Sequence, residues 1–175
     1  MQPVYVTRTG QCLPGQPVGN EDMVEYIGRL SPEAERLGRL TLRQNRIRTR
    51  HYAINPDGST NWTLAKLAAA AIGTVLEGAE VDAARIGYLA TATTQNDMMV
   101  PGLASGVHAA CGLPPMEVAS LQSVCASSMM AFKSAMLQIA AGEHEAALVV
   151  GAEFSSRYFR PGMYTGTQTV RADET

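Results

Sequence analysis

The amino-acid sequence predicts an α/β domain with a mostly parallel sheet and a buried central helix. Strand and helix patterns alternate between residues 86 and 151, and right-handed crossovers turn such an order into a parallel sheet. The run Ala146–Gly151 is apolar without alternation, which is typical of a strand covered on both faces. Residues 125–141 are apolar or small on nearly every side and carry Lys133 as their only charge. We therefore expect the helix they form to be covered all round.

The first sixty residues contain short elements separated by breaks. Residues 4–6 are a strand candidate, and a loop rich in proline and glycine follows them. Asn20 is positioned to cap a helix that reaches about Leu30. Ser31 is positioned to cap the next helix, because the proline after it is tolerated in a first helical turn. Residues 55–58 read Asn-Pro-Asp-Gly and predict a turn.

The later elements have clearer boundaries. We expect a helix over residues 62–76, capped by Thr60 or Asn61. Gly112 and Gly142 follow the next two helices, at the position where a left-handed residue ends a helix. The elements predicted after residue 76 are strands at 86–93, 116–121 and 146–151 and helices at 101–111 and 125–141. The polar residues 162–175 contain no predicted element.

Composition excludes several classes of protein. The chain has 175 residues, a net charge of -2, 46% hydrophobic residues and 17% charged residues. A general nucleic-acid binder needs a basic excess that is missing here, and a disordered chain would be less apolar. The low charged fraction indicates a large core or a surface that packs against another element.

The cysteines and the apolar segments argue against secretion, metal binding and membrane insertion. Cys12, Cys111 and Cys125 are odd in number and widely spaced, so we expect neither a disulfide framework nor a zinc site. The N-terminus lacks the pattern of a signal peptide, and the most apolar stretch, residues 67–76, is too short to cross a bilayer. We therefore expect a cytoplasmic protein with no membrane partner.

Cys125 is the candidate nucleophile. It lies between a predicted strand and the first turn of a predicted helix, where unpaired N–H groups and the helix dipole favour a thiolate and can stabilise an oxyanion. Small residues follow it and leave room for a substrate. The alternative is that a buried cysteine acts only as a small hydrophobic residue, and this is our interpretation of Cys12 and Cys111.

Several segments in order resemble the N-terminal half of β-ketoacyl-acyl-carrier-protein synthase III, in the thiolase superfamily. The matching segments are residues 13–14, 20–23, 47–51, 91–93, 101–104, 124–127, 148–153 and 156–157. The resemblance implies that residues 1–175 form an N-terminal thiolase-like half-domain. Within it, residues 20–60 would be a helical, arginine-rich insertion near the mouth of the pocket.

The resemblance also implies an activity. A thioester would acylate Cys125, and the acyl group would then pass to the carbanion left by decarboxylation of a malonyl thioester. The family's catalytic His and Asn lie in the second half of its longer chains, so the activity is expected to be complete only with that half. We assign no catalytic role to His51, His108 or His144.

The coenzyme A site of the family is altered in this sequence. Where many members have a Trp and an Arg, Leu40 and Gln44 stand here, so stacking on the adenine is lost. We therefore expect an acyl carrier protein to deliver at least one substrate. The candidates for binding a phosphopantetheine phosphate or an acidic carrier protein are Arg43, Arg46, Arg48 and Arg50. A solvated surface with ordinary salt bridges is the alternative.

Met98 and Met99 lie in a loop that, in the family, reaches the partner subunit and helps to close its acyl pocket. Methionines there would form a flexible apolar wall. The alternative is a loop folded against its own core. The resemblance thus implies a homodimer, or a heterodimer with another thiolase-fold chain.

Three functions follow from these expectations. The first is a condensing enzyme of fatty acid or polyketide synthesis, with phosphopantetheine thioesters as substrates and no permanently bound cofactor or metal. The second is a thiolase-fold acyltransferase, or a non-catalytic partner subunit of a ketosynthase heterodimer; a thiol at Cys125 argues against the non-catalytic subunit. The third is a thiol hydrolase, which lacks a histidine placed to activate Cys125.

Overall fold

The computed structural model describes residues 2–79 and 81–160. The chain divides into two compact units. Among the described residues, the larger unit contains residues 2–12 and 62–153, and the smaller contains residues 13–61 and 154–160. Residues 162–175, for which the sequence predicts no element, lie outside the described residues.

The smaller unit has two helices and a minimal antiparallel ladder. Strand β1 (Val18–Gly19) pairs with β2 (Thr49–Arg50), and α1 (Met23–Ile27) and α2 (Pro32–Gln44) lie between them in the chain. The Ser31 hydroxyl accepts a hydrogen bond from Ala34 N–H at 3.3 Å, which confirms the predicted cap of α2. Asp22, not Asn20, occupies the cap position of α1, and α1 is shorter than predicted.

The larger unit is an α/β sandwich. Its elements are α3 (Leu64–Leu76), β3 (Ile86–Ala92), α4 (Leu103–Cys111), β4 (Glu117–Leu121), α5 (Ser127–Ala141) and β5 (Ala146–Gly151). The three strands form a parallel sheet in the order β4-β3-β5. The chain crosses in opposite directions from β3 to β4 and from β4 to β5, so right-handed connections place α4 and α5 on opposite faces. The predicted parallel sheet is confirmed.

The helix boundaries follow from identifiable caps. Thr63 caps α3, because its hydroxyl accepts a hydrogen bond from Lys66 N–H at 3.1 Å; the prediction of Thr60 or Asn61 is wrong by two or three residues. Gly112 and Gly142 both adopt the left-handed conformation that ends α4 and α5, as predicted. Residues 4–6 are not a strand: they form no ladder, and Tyr5 and Val6 are exposed.

Within the described residues, helix α5 is covered on one face, whereas the sequence predicts a helix covered all round. Ala131 and Ala135 pack against alternate residues of β3, namely Tyr88, Ala90 and Ala92. This stripe of small side chains lets the helix approach the sheet closely. The large apolar side chains of α5 lie off the stripe, and no element within the described residues covers them. They are Met129, Met130, Phe132, Met136 and Leu137.

Residues Val124–Ala141 are also long and apolar enough to cross a membrane by length and composition. This is weak evidence, since a core helix passes the same test. The segment packs on the sheet through its small residues, which supports a place in a folded core.

Candidate functional site

Cys125 lies at the carboxyl edge of the parallel sheet, on the connection from β4 to α5. The connection is a short 3-10 turn, Val124–Ala126, and α5 begins at Ser127 directly after it. The sequence predicted Cys125 as the first residue of the helix, whereas the structure places it two residues earlier. Its side chain is exposed, and no disulfide involves it. The thiol therefore stands free beside the positive end of the helix dipole.

Ser127 holds this turn in place. Its hydroxyl accepts a hydrogen bond from Ser123 N–H at 2.7 Å. The same oxygen lies 2.7 Å from the carbonyl oxygen of Val124 and 3.2 Å from that of Thr93, each an acceptor for its proton. The Ser127 side chain is buried, and the bond to the Thr93 carbonyl is shielded from water. Ser127 thus links the start of the cysteine turn, at Ser123 and Val124, to Thr93, the residue that follows β3.

Val124 adopts a strained backbone conformation next to the cysteine. Its φ is 49°, in the left-handed region that β-branched residues rarely enter, although its side chain is largely exposed. Such a conformation persists only where the surrounding structure imposes it, and it is frequent at functional sites. Here it makes the chain turn sharply between β4 and α5, so that the thiol projects from the edge of the sheet.

The same edge extends beyond the strands through further backbone bonds. Thr93 N–H donates to the Leu121 carbonyl at 3.2 Å, and Ala152 N–H donates to the Ala92 carbonyl at 3.0 Å. The cysteine turn therefore rests on a rigid base. A Cβ on Gly151 would lie 2.4 Å from the Ser128 hydroxyl oxygen, so the start of α5 sits directly against the end of β5.

The three cysteines differ in environment. Burial raises the pKa of the Cys12 thiol and the pKa of the Cys111 thiol. Both side chains are half-buried, whereas Cys125 is exposed. The interpretation of Cys12 and Cys111 as packing residues agrees with these environments.

The loop that carries Met98 and Met99 is fixed at its base and apolar at its tip. The Asp97 carboxylate accepts a hydrogen bond from Leu64 N–H at 2.7 Å, and the Asn96 amide donates to the Met98 carbonyl at 2.7 Å. Met99 is 97% exposed, and Val100 beside it is 82% exposed. Within the described residues Met99 therefore does not pack against its own core, and the role of the two methionines in an acyl pocket stays a prediction.

The candidate arginines belong to the smaller unit. Arg50 is half-buried and donates to the Val18 carbonyl at 3.3 Å and to the Asn20 side-chain oxygen. It therefore supports the β1–β2 ladder and has fewer donors left for a ligand. Arg46 and Arg48 are exposed. Arg46 takes the left-handed position that ends α2 (φ 57°), where glycine is the favoured residue.

Each histidine is engaged with a group other than Cys125. His51 donates to the Pro14 carbonyl at 3.1 Å, and His108 donates to the Pro114 carbonyl at 2.8 Å. His144 lies 3.0 Å from the Glu117 carboxylate. It is half-buried rather than solvated as its position in a turn predicted. The absence of a catalytic role for the three histidines stays a prediction.

Comparison with known proteins decides the family. Residues 47–171 match the family profile described as the thiolase, N-terminal domain. The chain belongs to the thiolase family. The matched range includes β3, β4, α5 and Cys125.

Thiolase-family relatives at the sequence level confirm the resemblance noted above. The chain is 32% identical over 161 residues to a β-ketoacyl-[acyl-carrier-protein] synthase III of Neisseria meningitidis serogroup B, covering 90% of this chain and 46% of that protein. It is 33% identical over 150 residues to the enzyme of the same name from Rhodospirillum rubrum, covering 85% and 42%. The chain thus spans about half the length of the curated relatives it matches.

Solved structures give the same result for the fold. A tetronic acid condensing enzyme, AbyA1, superposes with a TM-score of 0.72 at 26% identity, over 86% of this chain and 45% of that one. A β-ketoacyl-[acyl carrier protein] synthase III from Thermus thermophilus superposes with a TM-score of 0.71 at 21% identity, over 89% and 44%. The predicted N-terminal thiolase-like half is therefore confirmed as the fold of this chain.

Sequence reasoning missed the two residues that shape the cysteine turn. The sequence identifies Ser127 only as one of the small residues after Cys125, and Val124 only as part of the matching segment 124–127. A serine in the first turn of a helix often bonds to nearby backbone groups, so Ser127 carried a detectable signal. The φ of Val124 had none, because valine is a poor predictor of a left-handed residue.

Proposed function

We propose that the protein is a condensing enzyme of the β-ketoacyl synthase III type, with Cys125 as its acylated nucleophile. The observation that carries the proposal is an exposed thiol on a strained turn at the carboxyl edge of the sheet, in a chain of the thiolase family. Ligands in open α/β sheets bind at this edge. Similarity to proteins named as synthases III and as a tetronic acid condensing enzyme supports the reaction class.

In the first step, the Cys125 thiolate attacks the carbonyl carbon of an acyl thioester. A new C–S bond forms to Cys125, and the old C–S bond breaks to release the donor thiol, which takes up a proton. Backbone N–H groups at the start of α5 are suited to stabilise the oxyanion. Ser127 acts as a positioning residue, because it fixes the turn without facing the substrate itself.

In the second step, a malonyl thioester loses carbon dioxide, and the electron pair of the broken C–C bond becomes an enolate. The enolate carbon attacks the acyl carbonyl on Cys125, a C–C bond forms, and the Cys125 thiolate leaves. This step needs donors that stabilise the enolate. None of the three histidines is assigned to this role. We propose that the second half of the family fold supplies them.

The proposed substrates are phosphopantetheine thioesters, carried by an acyl carrier protein or coenzyme A. The proposed assembly is a dimer of thiolase-fold chains in the cytoplasm, with the exposed Met98–Val100 tip facing the partner. Leu40 and Gln44 replace the residues expected to bind coenzyme A, which favours the carrier protein as donor. Arg46 and Arg48 are the exposed candidates for contact with the phosphate.

The test is acylation followed by intact mass. The full-length protein is incubated with an acyl carrier-protein thioester, and the mass should rise by one acyl group. Cys125→Ala should abolish the increase, while Cys111→Ala, the matched control, should retain it. An adduct that persists in Cys125→Ala would overturn the proposed nucleophile.

Adding a malonyl thioester to the acylated protein separates the remaining functions. Release of carbon dioxide together with a longer product supports condensation. Acylation without condensation supports an acyltransferase, and no acylation at all supports a non-catalytic partner subunit.

The 175-residue chain alone should acylate Cys125 slowly and should not condense. The enolate-stabilising donors are each worth a factor of about 100 to 1,000 in rate. Robust condensation by this chain would show that one of its own histidines had been assigned wrongly.

A further inference from the structure

Glu153 uses its side chain to continue the hydrogen bonding between two strands of the sheet. The Ala92 carbonyl bonds to the chain after β5, and the Thr93 N–H bonds to the end of β4. Because successive residues of a strand face opposite neighbours, the Thr94 N–H faces the β5 side again. Its acceptor there is the Glu153 carboxylate, at 2.5 Å from nitrogen to oxygen. A side chain thus extends the bonding between the ends of β3 and β5.

The backbone that carries the Glu153 side chain is firmly held. A Cβ on Gly151 would lie 2.4 Å from the Ser128 hydroxyl oxygen, so the end of β5 is packed against the start of α5. The next residue, Ala152, donates its N–H to the end of β3 at 3.0 Å. A backbone N–H and a carboxylate form a charge-assisted hydrogen bond, roughly twice as strong as one between neutral groups. Glu153 therefore reaches Thr94 from a fixed point and holds it strongly.

The segment that Glu153 holds, residues 93–95, lies between two features of the proposed site. On one side, the Thr93 carbonyl accepts a hydrogen bond from the Ser127 hydroxyl at 3.2 Å, and that hydroxyl also bonds to the cysteine turn. On the other side, the chain continues into the loop with the exposed Met98–Val100 tip. The Thr93 hydroxyl donates to the Gln95 carbonyl at 3.0 Å, which keeps the segment compact. A shift of residues 93–95 would therefore disturb both the cysteine turn and the stem of the loop.

The loop stem has a second carboxylate anchor. The Asp97 carboxylate accepts a hydrogen bond from the Leu64 N–H at 2.7 Å, at the start of α3. Asp97 thus fixes the loop to a helix, whereas Glu153 fixes the segment that contacts Ser127. Of these two anchors, Glu153 is the one on the carboxyl edge of the sheet, where Cys125 lies.

We propose that Glu153 is a positioning residue for the acylation of Cys125. Its carboxylate fixes residues 93–95, and these residues hold Ser127 behind the cysteine turn and the stem of the Met98–Val100 loop. Placement of this kind matters, because a displacement of about 1 Å can cost a reaction about 100-fold in rate. The effect on the reaction rests on the proposed function, whereas the bond between Glu153 and Thr94 does not.

The test measures Cys125 acylation by a small acyl thioester over a range of concentrations, in full-length protein that remains folded. Glu153→Ala removes the acceptor of the Thr94 N–H and should lower the saturating rate by about ten-fold. The concentration for half-maximal rate should change little, since Glu153 acts through other residues. Glu153→Gln keeps a side-chain oxygen for the Thr94 N–H and should recover most of the rate. The matched control, Glu145→Ala, removes an exposed carboxylate just before β5, bonded to Arg85 at 2.9 Å, and should acylate as the unaltered protein.

Two outcomes would overturn the positioning role. The first is an equal saturating rate in Glu153→Ala and the unaltered protein. The second is a rate in Glu153→Gln as low as that in Glu153→Ala, which would assign the carboxylate to proton transfer instead.

Hydrogen exchange separates this proposal from the proposed function. Deuterium uptake is followed by mass spectrometry in peptides that cover residues 93–97. Glu153→Ala should accelerate exchange of the Thr94 amide by about ten-fold or more, and Glu145→Ala should not. Unchanged exchange in Glu153→Ala would overturn the anchor itself. Failure of the unaltered protein to acylate would overturn the proposed function and the role of Glu153 in it, while the exchange result would still decide whether Glu153 holds Thr94.

Discussion

The two edges of the parallel sheet differ in whether their polar side chains have bonding partners. At the carboxyl edge, Ser127 ties the backbone of the turn together and leaves the Cys125 thiol exposed. At the amino edge, polar side chains bind one another. There the Glu117 carboxylate contacts His144 at 3.0 Å and accepts a hydrogen bond from Gln138 at 3.2 Å.

The amino edge holds further contacts between side chains. The His144 ring stacks on Tyr88 with 5.8 Å between centroids, and the Tyr88 hydroxyl lies 2.7 Å from that of Ser134. A Cβ on Gly87 would lie 2.4 Å from a His144 ring nitrogen. Every side chain named here already has a bonding partner. These contacts stabilise the fold and leave few hydrogen-bonding groups for a ligand. We therefore expect chemistry where a rigid backbone carries an exposed nucleophile, and not where titratable groups are most numerous.

The largest expected difference is between the thiols. Iodoacetamide at neutral pH should label Cys125 at least about ten-fold faster than Cys12 or Cys111, because the latter are half-buried and burial raises their pKa. Since a raised pKa means that the thiolate forms only at higher pH, labelling of Cys12 and Cys111 should accelerate as the pH rises above neutrality. Peptide mass mapping over time gives all three rates. Equal rates at neutral pH would remove the contrast between the thiols.

Removal of the Ser127 hydroxyl should damage the carboxyl edge itself. Ser127→Ala removes a buried hydroxyl that bonds the Ser123 N–H and the carbonyls of Val124 and Thr93, so we expect the free energy of unfolding to fall by about 1–3 kcal/mol. Cys125 acylation should fall as well. Urea denaturation measures the first effect and intact mass the second.

Ser128→Ala is the matched control, since Ser128 is exposed and one residue further along α5. Its stability should change by less than about 0.5 kcal/mol. Equal effects of the two substitutions would show that Ser127 does not hold the turn.

Features with a local sequence signal could be predicted, and features set by distant contacts could not. The strands β3, β4 and β5 and the ends of α4 and α5 follow from periodicity and from Gly112 and Gly142, which are local signals. Burial of α5 is not determined by local sequence. Its apolar composition predicts burial, but the residues that bury it belong to other elements. The pairing of His144 with Glu117 joins residues 27 positions apart, so a turn position alone could not reveal it.

At the amino edge, Gly87→Ala should lower stability by about 1–3 kcal/mol, because the new Cβ requires His144 to move. His144→Ala in the same chain should recover part of that loss by removing the clash. Gly106→Ala is the control, since its Cβ would lie 3.4 Å from Ala65, an ordinary contact. Thermal or urea denaturation gives the values. Neither Gly87→Ala nor its double variant should alter acylation in molecules that remain folded.

The smallest expected effect concerns the backbone strain at Val124 and tests whether that strain contributes to the reactivity of Cys125. The Cβ of any residue other than glycine at the left-handed position of Val124 lies too close to the following carbonyl oxygen. Val124→Ala should therefore keep this steric strain, and Val124→Gly should remove it. Glycine loses more conformational freedom on folding, which offsets part of the gain. We therefore expect Val124→Gly to be more stable than Val124→Ala by about 1 kcal/mol, measured by urea denaturation. If the strain serves to present the thiol, Val124→Gly should nevertheless acylate Cys125 more slowly than Val124→Ala. A glycine variant that is both more stable and equally reactive would show that the strained turn is dispensable for the reaction.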